Sequence, residues 1–172
     1  MKPITRIVFL ILLSSSSLAQ RPITYYLGVG KSFSNYGKMH YVLLHNEFAV
    51  KLNNSFSASA ELQLARSNKG LMDRSDYVQS NLNLLVSPFK NEKVLFFRIG
   101  GGIFYNRRWN YFDPRAFPEY KKNAQVFRFG LFAEDEIKLS KRFVVAIRLF
   151  IYPKFNTDET ISGALIKTGL RI

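Results

Sequence analysis

Two histidines, His40 and His45, are the chain's imidazoles, and they bound the acid–base catalysis it can perform. The triplet His45-Asn46-Glu47 puts His45 and Glu47 on one face of an extended strand, because side chains alternate with a period of two. A serine such as Ser57 or Ser59 is expected across the following hairpin from that face. Nucleophile, base and carboxylate within reach of one another would support acyl transfer. The competing reading makes His45 and Glu47 part of a polar packed interior, and it is preferred, so no catalytic residue is assigned. With no cysteine there is no thiol nucleophile, disulfide, or Cys-based zinc or haem site. Two histidines without cysteine form no ligand set of recognisable spacing, so neither metal nor cofactor is assigned. Gly100-Gly101-Gly102 falls within a strand and precedes no helix, which excludes a phosphate loop.

A second constellation is denser. Between positions 107 and 122 stand the cations Arg107, Arg108, Arg115, Lys121 and Lys122 and the aromatics Trp109, Tyr111, Phe112, Phe117 and Tyr120. Arg and aromatic side chains dominate binding hot spots, and loops beyond about 12–15 residues are often functional. Pro114 and Pro118 restrict the segment's freedom. Two readings stay open: a surface that recognises a partner or ligand, or a girdle of rings and cations at lipid headgroup level.

The N-terminus narrows the setting. Lys2 and Arg6 precede the apolar stretch Ile7–Leu13, then four serines and Leu18-Ala19. A basic start, a short apolar core and a small-residue end describe a secretory signal peptide, 1–19, with Gln20 as the first mature residue. The core is too short for a spanning helix, which needs about 20 apolar residues. Removing Lys2 and Arg6 lowers the net charge from +13 to +11 on the mature domain, 20–172. Nucleic acid is the usual partner of a protein with pI near 10.1, but an exported chain rarely meets it. Lipid phosphates fit better, since Lys and Arg beside a charged membrane gain about 1 kcal/mol each.

Beyond Ala19 the pattern is that of strands, with 47% hydrophobic residues and no helical stripe. Eight strands are predicted: Thr24–Ser32, His40–Leu52, Ser55–Arg66, Asp76–Pro88, Val94–Asn106, Ala124–Leu139, Arg142–Pro153 and Ile161–Ile172. Asn53-Asn54 suits a tight turn with positive φ. Short connections alternate strictly with long ones, the longest being Arg107–Asn123. An up-and-down meander with its long loops at one end produces that asymmetry, as transmembrane barrels do with short periplasmic turns and longer extracellular loops.

Alternation leaves open which face points inward. Strand seven reads Phe143, Val145, Ile147, Leu149, Ile151 against Val144, Ala146, Arg148, Phe150, Tyr152. The bulky apolar faces are nearly free of charge, broken by Asn46 and Asp135. The polar faces collect Gly28, Gly30, Gly100, Gly102, Gly130, Gly163 and Gly169 with Glu47, Glu61, Glu134, Glu136, Arg98, Arg128, Arg148, Lys167 and Arg171. Glycine weakens a strand, so an open surface has little use for it. A narrow eight-stranded lumen filled by side chains needs it. Arg98, Arg128 and Arg148 are therefore expected inside, near Glu47, Glu61 and Glu134, in one ion-pair network extended by Lys167 and Arg171.

The segment Tyr25-Tyr26-Leu27-Gly28-Val29-Gly30, the hairpin Glu47–Leu64 and the ending Gly169-Leu170-Arg171-Ile172 resemble strands of the small outer-membrane barrels of the OmpX and OmpA transmembrane-domain type. The likeness spans the mature chain as a pattern. It implies the outer membrane of a Gram-negative cell, contact with its lipids and lipopolysaccharide phosphates, and handling by the barrel assembly machinery. Where many members end in Phe, this chain ends in Ile172. The His-x-Ser pattern of outer-membrane lipid deacylases is absent. The expectation is an all-β, eight-stranded antiparallel up-and-down transmembrane barrel, non-enzymatic, acting in envelope structure or through its loops. A narrow conduit, a lipid-modifying enzyme and a secreted lipocalin-like barrel are the alternatives.

Overall fold

A computed structural model describes residues 22–35, 38–67, 74–89, 95–111, 123–154 and 159–172. The expected signal peptide lies outside them. Period-two alternation produces eight strands: β1 Ile23–Ser34, β2 Met39–Lys51, β3 Phe56–Ser67, β4 Arg74–Val86, β5 Leu95–Tyr111, β6 Asn123–Lys138, β7 Phe143–Tyr152 and β8 Ile161–Arg171. Each pairs antiparallel with its sequence neighbour, and β1 pairs with β8 from Thr24↔Arg171 to Ser34↔Ile161, closing the barrel. The Ile172 N–H donates to the Ile23 carbonyl at 2.8 Å, extending the seam past the last ladder pair. Closure leaves no unpaired edge, which a sheet crossing lipid cannot tolerate.

Most predicted boundaries shift by one or two residues; β5 shifts more. Arg107–Tyr111 does not begin a loop. It continues the strand, opposite Arg74–Val78 of β4, and β6 pairs back to Trp109↔Asn123. Alternation persists through the charged residues, with Arg108 and Asn110 buried and Arg107 and Tyr111 exposed. The connection shortens to 112–122; Phe112, Arg115, Phe117, Tyr120, Lys121 and Lys122 lie outside the described residues.

The turn at Asn53-Asn54 also differs from expectation. Among the described residues the one non-glycine with positive φ is Lys38. The Asn53 side-chain oxygen instead accepts the N–H groups of Ser55 and Phe56, both at 2.8 Å. Ser140 does the same for Arg142 and Phe143 at the β6–β7 turn. Side-chain acceptors make these turns, as Asx and Ser turns do.

The outward face is apolar: Phe127 is 76% exposed, Leu82 61% and Leu149 59%. The inward face buries Arg148 to 1%. No helix among the described residues is long and apolar enough to cross a membrane, but the strands, 10 to 17 residues long, match the 9–11 tilted residues of a spanning strand. Rings cluster outside near both ends, Tyr25 on Phe48 at 4.7 Å toward the turns and Tyr105 on Phe127 at 4.9 Å toward the loops.

The inward glycines make room for lumen side chains, rings among them. A Cβ on Gly130 would meet the Tyr152 ring at 2.4 Å, and one on Gly100 would meet the Phe132 ring at 2.4 Å. Glycine here lets rings lie against the wall. Those rings, with Phe104, Phe150, Tyr41 and Tyr77, form an aromatic layer in the lumen. Charged groups lie on either side of it.

Candidate functional site

Toward the short turns, four carboxylates meet four cations. Arg148 of β7 is the hub. Its Nη2 donates to Glu47 at 2.8 Å, its Nε to Glu134 at 2.6 Å, and its Nη1 to Glu61. Lys167 bridges Glu47 and Glu134, the latter at 2.6 Å. Arg98 reaches Glu134 and, at 2.5 Å, Glu136, whose other oxygen accepts from Arg171 at 2.6 Å. Asn81 and Asn83 of β4 donate to Glu61, Asn81 at 2.7 Å. Every strand from β2 to β8 contributes, and Tyr26 of β1 donates to Glu136. Formal charges balance, and the carboxylates carry several donors each, the condition under which buried ion pairs persist.

Toward the loops the described residues form a second set of ion pairs. Arg128 was expected beside Glu47, Glu61 and Glu134, but its Nη2 donates to Glu159 at 2.6 Å and its Nη1 to the Glu159 carbonyl at 2.9 Å. The reason is height: Arg128 stands near the loop end of β6, beyond the aromatic layer. Arg108, expected on a loop surface, is buried in the lumen and pairs with the same carboxylate. Burial works to raise the Glu159 pKa; the charge and hydrogen bond of Arg108, the Ser34 hydroxyl and Arg128 outweigh it and hold the carboxyl below its usual range. Sequence periodicity missed Glu159 because it precedes β8 and lies on no strand.

The catalytic constellation does not assemble among the described residues. Ser59 pairs opposite Ala49 and Ser57 opposite Lys51, while His45 faces Gln63. Ala49 is four steps along the strand from His45, roughly 13 Å at about 3.3 Å each. His45 Nε2 lies 3.2 Å from Glu47 instead. The β2–β3 ladder also brings Glu61 beside His45 and Glu47, with ligand atoms within 4.8 Å of one another. Both carboxylates already engage Arg148, and Glu47 also holds Lys167. Two fixed cations at that point oppose a third, so the group does not suit a metal ion.

Outside, near the loop end, Arg66, Arg74, Arg107, Trp109 and Tyr111 share one patch. Asp76 accepts from Arg66 at 3.1 Å and from Arg74 Nε at 3.0 Å. Arg74 lies 4.7 Å from the Tyr111 ring centre and Arg107 5.2 Å from that of Trp109. A groove of about 650 Å³ runs below, lined by Val42, Leu44, Leu64, Val78 and Trp109.

No protein family matches the sequence, and neither does any curated protein. Solved structures do match. The N-terminal β-barrel domain of OprF from Pseudomonas aeruginosa gives a TM-score of 0.66 at 9% identity, over 89% of this chain and 98% of that one. Ail, the attachment invasion locus protein of Yersinia pestis, in complex with the heparin analogue sucrose octasulfate, gives 0.62 at 10%, over 88% and 99%. The outer-membrane enzyme PagL gives 0.56 at 10%, over 83% and 97%. At such identities the likeness establishes the fold.

Proposed function

We propose that this chain, which has the fold of the small eight-stranded outer-membrane barrels, is an integral outer-membrane protein without catalytic activity that serves envelope structure or surface interaction. The observation that carries this reading is the barrel's polarity: an apolar skin around a balanced, buried network of charge. A soluble lipocalin-like barrel has the opposite arrangement, with apolar groups inside. On this reading, 1–19 is the export signal, the assembly machinery inserts the chain, and the short turns face the periplasm.

Interaction belongs to the loop end. Two guanidiniums on Asp76, a third beside Trp109, two aromatic rings and a groove beneath them match a lipid with anionic phosphates above acyl chains. Lipopolysaccharide is the outer-leaflet lipid of that chemistry. Ail was crystallised with a polysulfated sugar, which makes an anionic carbohydrate partner for the 107–123 region a second reading. The enzyme reading through His45 has no assembled nucleophile to support it. For conduction, the Arg148 network and the aromatic layer are the obstacles, and eight-stranded barrels are filled by side chains.

The test combines fractionation with topology. The chain should separate with outer membranes, and tags inserted at Asn68 or Pro118 should react with membrane-impermeant reagents on intact cells while tags at Asn53 or Asn91 do not. Recovery in the soluble periplasm, or equal labelling at all four positions, would overturn the membrane reading. Steady conductance steps in a planar bilayer would replace it with the conduit.

A further inference from the structure

The lumen does not fill evenly to its ends. At the short-turn mouth a cavity of about 230 Å³ opens between β1, β2, β5 and β6, with walls that include Lys51, Phe89, Phe96, Lys138 and Arg171. Glu136 is its carboxylate, and that group is already taken by Arg98, Arg171 and the Tyr26 hydroxyl. Lys51 and Lys138 are left over. Neither reaches a carboxylate within 4.0 Å among the described residues. The Lys138 ammonium instead sits 4.0 Å from the centre of the Phe96 ring.

We propose that this cavity is a binding site for a small organic phosphate monoester, its dianionic head between Lys51 and Lys138 and a flat apolar portion against Phe96 and Phe89. Charge sets the head group. Among the described residues the strand-borne network is neutral without these two lysines, which leaves two cations on the cavity wall, matched by one phosphate dianion. Lysine binds phosphate as a point charge on a flexible stem, and Ser57, Ser87 and Thr24 on the same walls add hydroxyl donors. Shape sets the tail. At about 30 Å³ per liquid water, the cavity has room for several waters or one single-ring compound, and its walls are half aromatic and aliphatic. Naming the mouth periplasmic rests on the topology proposed above; the ligand chemistry does not.

Phenyl phosphate is the probe, titrated calorimetrically into the purified, detergent-folded barrel, with benzoate and benzyl alcohol as monoanionic and neutral controls. Phenyl phosphate should bind saturably and most tightly, and benzyl alcohol should bind at least tenfold more weakly. In the Lys51→Gln/Lys138→Gln double variant the affinity should fall at least tenfold, while Lys51→Arg/Lys138→Arg retains it. Heat-modifiable gel migration verifies that each variant is folded. Amide shifts on binding should centre on Lys51, Phe96 and Lys138. No saturable binding, equal affinity for benzyl alcohol, an undiminished double Gln variant, or shifts centred on Arg108 and Glu159 would each overturn the proposal. A barrel that binds phenyl phosphate but fractionates as a soluble protein would keep the site and remove the membrane reading.

Discussion

The two charged layers of the lumen are built by different means. Toward the turns, Glu47, Glu61, Glu134, Glu136, Arg98, Arg148, Lys167 and Arg171 all stand on strands, so backbone hydrogen bonds hold each one and no side chain depends on a loop. Toward the loops, Arg108 and Arg128 stand on strands but their carboxylate is Glu159, carried by the connection into β8. The first layer is fixed whenever the barrel is closed. The second forms when a connection docks, tied further by the Thr160 N–H to Asn35 at 2.6 Å. One is scaffold and the other is a latch.

The difference can be broken from the scaffold side first. Arg148→Ala leaves Glu47, Glu61 and Glu134 sharing Lys167 and Arg98, and removing one partner of a buried pair costs about 3–5 kcal/mol. The urea midpoint of the folded barrel should fall accordingly, with Arg148→Lys recovering part of the loss. The aromatic layer between the two regions is the next target. Gly130→Ala drives a methyl into the Tyr152 ring, and overpacking of this kind costs about 1–3 kcal/mol.

The latch should yield less. Glu159→Gln keeps an acceptor oxygen but removes the charge that the buried Arg108 and Arg128 share, for a loss of about 1–3 kcal/mol. Its effect should be read as faster tryptic cleavage after Lys154, with a smaller fall in the urea midpoint than Arg148→Ala gives. The pH dependence has a fixed sign. The folded carboxyl titrates below its unfolded value, near 4.3 for a free Glu. Its contribution is therefore complete above that value and disappears as pH falls through the lower folded pKa. The difference in cleavage rate between wild type and Glu159→Gln should hold from pH 7 to about 5 and close in more acidic buffer. The smallest stability effect belongs outside the lumen. Arg66→Ala removes an exposed partner of Asp76, and such pairs contribute about 0–1 kcal/mol. Retention on lipopolysaccharide-containing vesicles should drop while the urea midpoint stays put.

Legibility in the sequence follows the same divide. Strand number, order and inward phase could be read because alternation is a local property, and it put Arg98, Arg148, Lys167 and Arg171 on the same face as their carboxylates. Height along the barrel could not be read the same way. Arg128 shares its phase with Arg98, yet tilt and register carry it past the aromatic layer to Glu159. Charged and aromatic residues at 107–111 suggested a loop by composition although their alternation continued; pairing with β4 decided for the strand. Spacing puts His45 and Glu47 on one face, but Glu61 joins them through the β2–β3 register, and the mouth cavity with its two lysines arises from residues on different strands and leaves no spacing to find.

The seam between β1 and β8 bears on how such a molecule comes into being. Thr24, at the start of β1, and Arg171, at the end of β8, are ladder partners, so the contact that finishes the cylinder has the longest loop to close and the slowest search. Until it forms, two ladders of unmatched amides face whatever surrounds them, and the hub guanidinium of Arg148 lacks its full ring of carboxylates. Growth strand by strand therefore yields no stable sub-barrel. The eight strands are worth little until the last one arrives, which makes closure of the cylinder a cooperative event.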